Sequence, residues 1–150
     1  MLNYFYKVLN FLKNIFVLNN VLPPRKDPNE VTFLFELQNK IKNFRLDNGL
    51  MPLNYSFALE YFAQESADNN YRSKVLVDAV HYTSVDVHLR MQGIYLKNFT
   101  LLTVYSDGNL DDYMRLILSN SRYRAALLDG YLTTIATAKC GNYLSIFLAQ

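Results

Sequence analysis

Residues 1–22 are hydrophobic on most sides, with a single polar stripe. Asn3, Lys7, Asn10 and Asn14 follow one another at intervals of four, three and four residues, which predicts a helix with one polar face. We predict that this helix docks on the rest of the protein. A membrane-surface helix, a partner-binding helix and a poor signal sequence are the alternatives.

The same segment does not have the pattern of a membrane-spanning helix. Such a helix needs about 20 uninterrupted apolar residues, and lysine and asparagine side chains break the run here. Pro23 and Pro24 then end the predicted helix, because proline lacks an amide donor and restricts the residue before it. We therefore divide the chain into an N-terminal helix and linker, residues 1–26, and a domain, residues 27–150.

The pattern from residue 27 onward predicts further helices. Asp27 and Pro28 form a helix start, apolar residues follow at helical spacing, and Gly49 provides a stop. An alanine-containing amphipathic stretch predicts a second helix over 55–69, and a short helix is expected over 87–93. Acidic residues in the first turn favour another helix over 111–118.

Strand patterns cluster late in the chain. The β-branched and aromatic run 99–105 predicts a strand. Residues 131–138 and 143–148, separated by a glycine-containing turn, predict a terminal hairpin. Helices that come first and strands that come late indicate an α+β fold.

Composition excludes several classes of protein. The chain has 150 residues, is 51% hydrophobic and has a net charge of +2 from scattered basic residues, so we expect one folded domain that does not bind nucleic acid. Cys140 is the single cysteine, which excludes an internal disulfide. The sequence has no G-x-S-x-G nucleophile motif and no glycine-rich phosphate loop.

The motifs of the last third resemble one family. Ser121-Arg122-Tyr123-Arg124-Ala125-Ala126-Leu127-Leu128 is similar to S-P-G-H-R-x-x-I-L, and 131–138 is similar to F-x-x-I-G-V-G-V. These are patterns of bacterial domains of the CAP superfamily (cysteine-rich secretory, antigen 5, pathogenesis-related 1). Arg45, Gly49, Leu50 and Leu53 resemble the opening motif of the family. The resemblance implies a three-layer α-β-α sandwich with a central, mainly antiparallel sheet.

The resemblance also assigns the positions of the family's polar groove. CAP domains commonly place two histidines and two acidic residues there. Here the first histidine is His81, the first glutamate falls near Leu101, the second acidic residue near Ser119 or Asn120, and the second histidine on Tyr123. Because a lone histidine holds a metal poorly, we expect no metal, no cofactor and no catalytic residue. Arg122 and Arg124 flank Tyr123 and could contact an anion or a partner.

These observations lead to a functional expectation. A CAP-like scaffold without its polar groove implies a non-catalytic domain of the bacterial cell envelope or exterior that binds a protein or another partner. A carrier of a lipid or sterol-like apolar ligand is the alternative, and a hydrolase with an atypical site is a weaker one. The resemblance implies an extracellular or cell-envelope location. If residues 1–22 form the membrane-surface helix named above as an alternative, the protein also contacts a membrane surface.

Overall fold

The computed structural model describes residues 27–78 and 82–150, with the backbone alone for residues 82–84. The predicted N-terminal helix, the linker before residue 27 and His81 lie outside the described residues. Residues 32–150 form one compact unit. None of the helices in the described ranges has the length and hydrophobicity of a membrane span.

Five helices and four strands make up the described part of the chain. In chain order they are α1 (Pro28–Asp47), β1 (Asn54–Tyr55), α2 (Phe57–Ser73), α3 (Tyr82–Met91), β2 (Phe99–Tyr105), α4 (Leu110–Ser119), α5 (Ser121–Leu127), β3 (Thr134–Cys140) and β4 (Tyr143–Ala149).

The four strands form one sheet in the order β1-β3-β4-β2. β1 pairs with β3 in parallel, whereas β4 is antiparallel to both β3 and β2. Gly141 and Asn142 form the two-residue turn of the β3–β4 hairpin. Gly141 has a φ of +55°, and a positive φ of this kind is what such turns require and glycine adopts readily. Every residue of β4 is buried, as expected for a central strand that is covered on both faces.

Helices cover both faces of the sheet. Side chains of α1, α4 and α5 pack on one face around Leu102, Leu144 and Ile146. Side chains of α2 and α3 pack on the other face around Leu101 and Phe147. Neighbouring strand residues point to opposite faces, so Leu101 and Leu102 belong to different clusters. The predicted three-layer α-β-α sandwich with a mainly antiparallel sheet is confirmed.

The ends of α1 are set by the signals seen in the sequence. The Asp27 carboxylate accepts a hydrogen bond from the Asn29 amide (2.9 Å) and caps the helix. At the other end, Gly49 has a φ of +75°, and the Leu50 amide donates back to the Arg45 carbonyl (2.9 Å). This is the glycine-dependent C-terminal motif that the sequence predicts.

Other boundaries differ from prediction. Strand 99–105 has the predicted limits, and the hairpin strands shift by a few residues. Tyr55 lies in β1 and not in the second helix, which runs to Ser73. The helix predicted over 87–93 begins at Tyr82 and ends at Met91. The two-residue strand β1 follows Pro52 and carries no periodic pattern, so the sequence does not reveal it.

Arg45, near the C-terminal end of α1, contacts the loop that precedes β1 and the loop that precedes β3. Its side chain is only 2% exposed. The guanidinium donates to the carbonyl oxygens of Met51 (2.8 Å), Leu127 (2.8 Å), Asp129 (3.1 Å) and Leu132 (3.3 Å). Burial lowers the pKa of Arg45, and the nearby Asp129 carboxylate opposes this effect. Arg45 thereby fixes the C-terminal end of α5, the helix that carries Arg122 and Tyr123.

Candidate functional site

Asn120 places two of the three candidate residues of α5, Arg122 and Tyr123. It lies between α4 and α5, and its side-chain oxygen accepts hydrogen bonds from the amides of Arg122 (3.1 Å) and Tyr123 (3.2 Å). This is the N-cap arrangement that satisfies free amides at a helix start. The Asn120 oxygen is therefore engaged by the helix itself, at a position where the family resemblance places an acidic groove residue.

Tyr123 reaches from α5 to the edge strand β2. Its side chain is 8% exposed and belongs to the cluster on the α1, α4 and α5 face. The phenol oxygen lies 3.3 Å from the Thr103 amide nitrogen, which donates to it, and 3.2 Å from the Thr103 carbonyl oxygen. Because β2 is at the edge of the sheet, Tyr123 substitutes for a neighbouring strand at this residue.

Asp78 completes a cluster with Arg122 and Tyr123. Its carboxylate forms an ion pair with Arg122 and lies 3.3 Å from the Tyr123 hydroxyl. The single hydroxyl proton is thus shared between Asp78 and the Thr103 carbonyl. The Arg122 guanidinium lies 5.2 Å from the centre of the Tyr123 ring, within range of a cation–π interaction. We call Asp78, Arg122 and Tyr123 the α5 cluster.

The electrostatics of the α5 cluster are local and weak. The Arg122 and Asp78 side chains are 60% and 39% exposed, so water and salt screen their attraction. Arg122 already has an anionic partner in Asp78, which leaves less positive charge for an external anion. Arg124 is exposed on α5, two residues along and thus on a different side of the helix.

Of the predicted groove positions that the structure describes, Leu101 does not join this cluster. Leu101 is 4% exposed and packs on the α2 and α3 face, opposite the cluster that contains the Tyr123 ring. His81 lies outside the described residues. The structure therefore brings Asn120, Arg122 and Tyr123 together at the start of α5 and places Leu101 in a separate part of the core.

His88, on α3, has its own partners on α2 and in the residue that follows α3. Its ring stacks on Tyr61 at 5.2 Å between centres with an interplanar angle of 3°, and a ring nitrogen lies 3.1 Å from the Gln92 amide. In the described ranges, no three histidine, cysteine, aspartate or glutamate side chains come close enough to hold a metal ion.

Sequence reasoning missed Asp78 and Thr103. Asp78 precedes α3 and meets Arg122 only through the folded chain, and no local spacing indicates such a pair. The main-chain amide and carbonyl of Thr103 hydrogen-bond with the Tyr123 hydroxyl. Such a contact does not depend on which side chain residue 103 carries, so the sequence does not indicate it. The strand prediction for 99–105 was the only available signal.

The architecture is shared with solved structures. A cysteine-rich secretory protein from Staphylococcus aureus superimposes with a TM-score of 0.68 and 16% identity, over 85% of this chain and 40% of that one. An extracellular SCP-domain protein from Bacillus anthracis gives 0.72 and 11%, over 86% and 44%. SCP is another name for the CAP domain. The chain has the CAP-domain fold.

A third structural neighbour is close to this chain in length. An outer surface protein from Borrelia burgdorferi superimposes with a TM-score of 0.67 and 14% identity, over 79% of this chain and 92% of that one. The chain spans less than half the length of the Staphylococcus and Bacillus proteins. No family model matches the sequence, and a search of curated proteins gives no match. Fold similarity is thus retained where sequence similarity is very low.

Proposed function

We propose that this CAP-fold chain acts at the bacterial cell surface or outside the cell by binding a partner, without catalytic turnover. The location is supported by its structural neighbours, which are described as secretory, extracellular and outer surface proteins. Fold alone does not decide between binding and catalysis. The argument against catalysis therefore comes from the α5 cluster.

The state of the Tyr123 hydroxyl carries the proposal. At the position where the family pattern has a histidine, this chain has a buried phenol that interacts with the Thr103 main chain. A general base must reach a proton of the substrate. The Tyr123 hydroxyl is instead used to complete the edge of the sheet. Arg122 and Asp78 neutralise one another beside it, so this cluster supports structure more directly than proton transfer.

A broad hydrolase and peptidase screen tests the absence of turnover. We expect the wild-type protein and the Tyr123→Phe variant to give the same background rate. Tyr131→Phe is the matched control, since Tyr131 is 77% exposed. Activity that Tyr123→Phe abolishes, while circular dichroism shows an intact fold, would show that the proposal is wrong.

Cell fractionation tests the proposed location. In the producing organism, an antibody against the purified chain should detect it in the medium or in the envelope fraction. Protease added to intact cells should remove the envelope-associated signal. A signal confined to the protected cytoplasmic fraction would contradict the proposal.

A further inference from the structure

At the outer edge of β1, one main-chain donor and one main-chain acceptor face away from β3. The amides of Asn54 and Ser56 donate to the Thr133 and Ile135 carbonyls on β3 (2.8 and 3.0 Å). In a parallel pair, a residue between two such residues points its own amide and carbonyl away from the partner strand. Tyr55 is that residue. Within the part of the chain that the structure describes, its main-chain amide and carbonyl have no hydrogen-bond partner.

A cleft lies beside this edge, between α1 and the sheet. Its volume is about 120 Å³, and its apolar walls come from Ile41, Leu53, Tyr55 and Ile135. A cavity of about 150 Å³ can hold a benzene ring, so the cleft has room for one aliphatic side chain. Pockets for drug-sized ligands begin near roughly 300 Å³. The cleft is therefore too small for a lipid or sterol.

The charges around the cleft differ on its two sides. Lys42 lines it from α1, and no ion pair of Lys42 is present among the described residues. On the β1 side, the Tyr55 hydroxyl donates to the Glu60 carboxylate (2.5 Å). The Lys42 ammonium therefore attracts a bound carboxylate to the α1 side of the cleft.

An exposed aromatic ring extends the apolar surface. Phe57, at the start of α2, is 82% exposed, and its ring packs edge-on against Tyr55 with centres 5.1 Å apart. A segment that runs along β1 would cover this ring as well as the cleft. Covering an aromatic ring of this kind is favourable because it removes apolar surface from water.

From these four features we propose that the groove between α1 and β1 binds an extended peptide segment of a partner protein. The peptide adds to the sheet by pairing with the Tyr55 main chain, places one aliphatic side chain in the cleft, and directs a carboxylate to Lys42. This is the β-augmentation mode of peptide recognition. It rests on the proposed binding function and names the class of partner, at a surface separate from the α5 cluster.

Fluorescence polarisation with the full chain tests this proposal. The probe is a fluorescein-labelled pool of hexapeptides with Val, Leu or Ile at the last position and a free C-terminal carboxylate. We expect saturable binding that weakens by about tenfold in Lys42→Glu, because the charge at the rim is reversed. Lys97→Glu, an exposed substitution beside the opposite edge of the sheet, should leave binding unchanged.

Two modified pools separate the parts of the interaction. A C-terminally amidated pool with an internal Asp beside the aliphatic residue distinguishes a side-chain carboxylate from a C-terminal one, and binding of either pool supports the proposal. Main-chain N-methylation at alternate residues should abolish binding, because it removes the donors that pair with Tyr55. Equal binding of methylated and unmethylated pools would exclude strand addition.

Other outcomes overturn the proposal without touching the proposed function. Absence of binding at millimolar peptide, or equal loss in Lys42→Glu and Lys97→Glu, would show that the groove is not a peptide site. A dimer seen by light scattering that Lys42→Glu dissociates would assign the edge to a second copy of the chain. Cleavage of bound peptide, detected by mass spectrometry, would instead contradict the absence of turnover while leaving the groove intact.

Discussion

Arg45 Nη1 donates a hydrogen bond to the Leu127 carbonyl oxygen over 2.8 Å and so joins the end of α1 to the end of α5. The same guanidinium serves three further carbonyl groups. Five donors in a planar fork suit arginine to this position, because lysine presents one compact ammonium group. One buried side chain therefore holds two loops in place, the one before β1 and the one before β3.

Replacement of Arg45 should be among the most destabilising single changes. Arg45→Met leaves four carbonyl groups without their donor, and we expect the free energy of unfolding to fall by about 3 kcal/mol. Arg45→Lys should lie between wild type and Arg45→Met. Urea denaturation followed by circular dichroism measures the difference. Arg124→Met, on the exposed side of α5, should change stability by less than about 0.5 kcal/mol; similar effects of the two methionine variants would contradict this account.

Two buried threonines should respond in opposite directions to the same change. The Thr103 hydroxyl is buried and has no hydrogen-bond partner among the described residues, so Thr103→Val should be neutral or should stabilise the fold by about 1 kcal/mol. The Thr137 hydroxyl accepts from Gln38 Nε2 (2.9 Å), so Thr137→Val should destabilise by about 1 kcal/mol. Thermal unfolding compares the two variants. Thr103→Val as the more destabilising variant would show that the hydroxyl is satisfied in solution.

The pH dependence of stability should include a contribution from Asp112. Its carboxylate accepts from the Asn109 amide (2.9 Å) and pairs with Arg115, and these contacts hold the pKa of Asp112 below its ordinary value of 3.8. Because the pKa is lower in the folded state, the contribution is present above the ordinary pKa and is lost as pH falls through the folded-state value.

Asp112→Asn measures this contribution. The difference in stability between wild type and the variant should be constant from pH 7 to about pH 5 and should shrink below about pH 4. Denaturant titrations at several pH values give the profile. Asp107→Asn, in the exposed turn before α4, serves as the control for a general change of charge. A stability difference that grows as the pH falls would contradict a lowered pKa of Asp112 in the folded state.

Gly108 is required by the same helix cap. A Cβ atom at Gly108 would overlap the Asp112 carboxylate, so Gly108→Ala should displace that carboxylate from the Asn109 amide. We expect a loss of about 1 kcal/mol, the usual effect of removing a helix cap. Gly130→Ala is the matched control, because its Cβ would meet Leu50 only at an ordinary contact distance of 3.6 Å. In a double mutant with Asp112→Ala, the Gly108 effect should shrink, because only the 2.9 Å approach to the Cβ atom of residue 112 remains.

The sequence predicts the fold better than the site. Strand 99–105 and the cap of α1 follow from local chemistry, namely β-branched residues in one case and an Asp-Pro pair in the other. The ion pair between Asp78 and Arg122 and the four contacts of Arg45 depend on chain segments that meet only after folding. Local sequence patterns do not indicate contacts between residues that are far apart in the chain. The α5 cluster is therefore visible only in the three-dimensional structure.

The resemblance to the family assigned residues to groove positions but did not predict which residues they contact. It placed Tyr123 and Leu101 at positions of one polar groove, and the structure gives them different neighbours on opposite faces of the sheet. A match of motifs preserves order along the chain. It does not fix which face of a strand a matched position occupies, because successive strand residues point to opposite faces of the sheet.

The position of β4 in the sheet has a consequence for the order of folding. β4 follows β2 and β3 in the chain, yet it lies between them. The β3–β4 hairpin closes across two residues and can form within microseconds. β2 pairs with β4 only after β4 is present, and this pairing closes a much longer loop. Until Tyr143–Ala149 has been synthesised, a growing chain carries β2 without its partner strand and β3 paired only with the two-residue β1. Both strands then have open edges that can pair with other chains and aggregate.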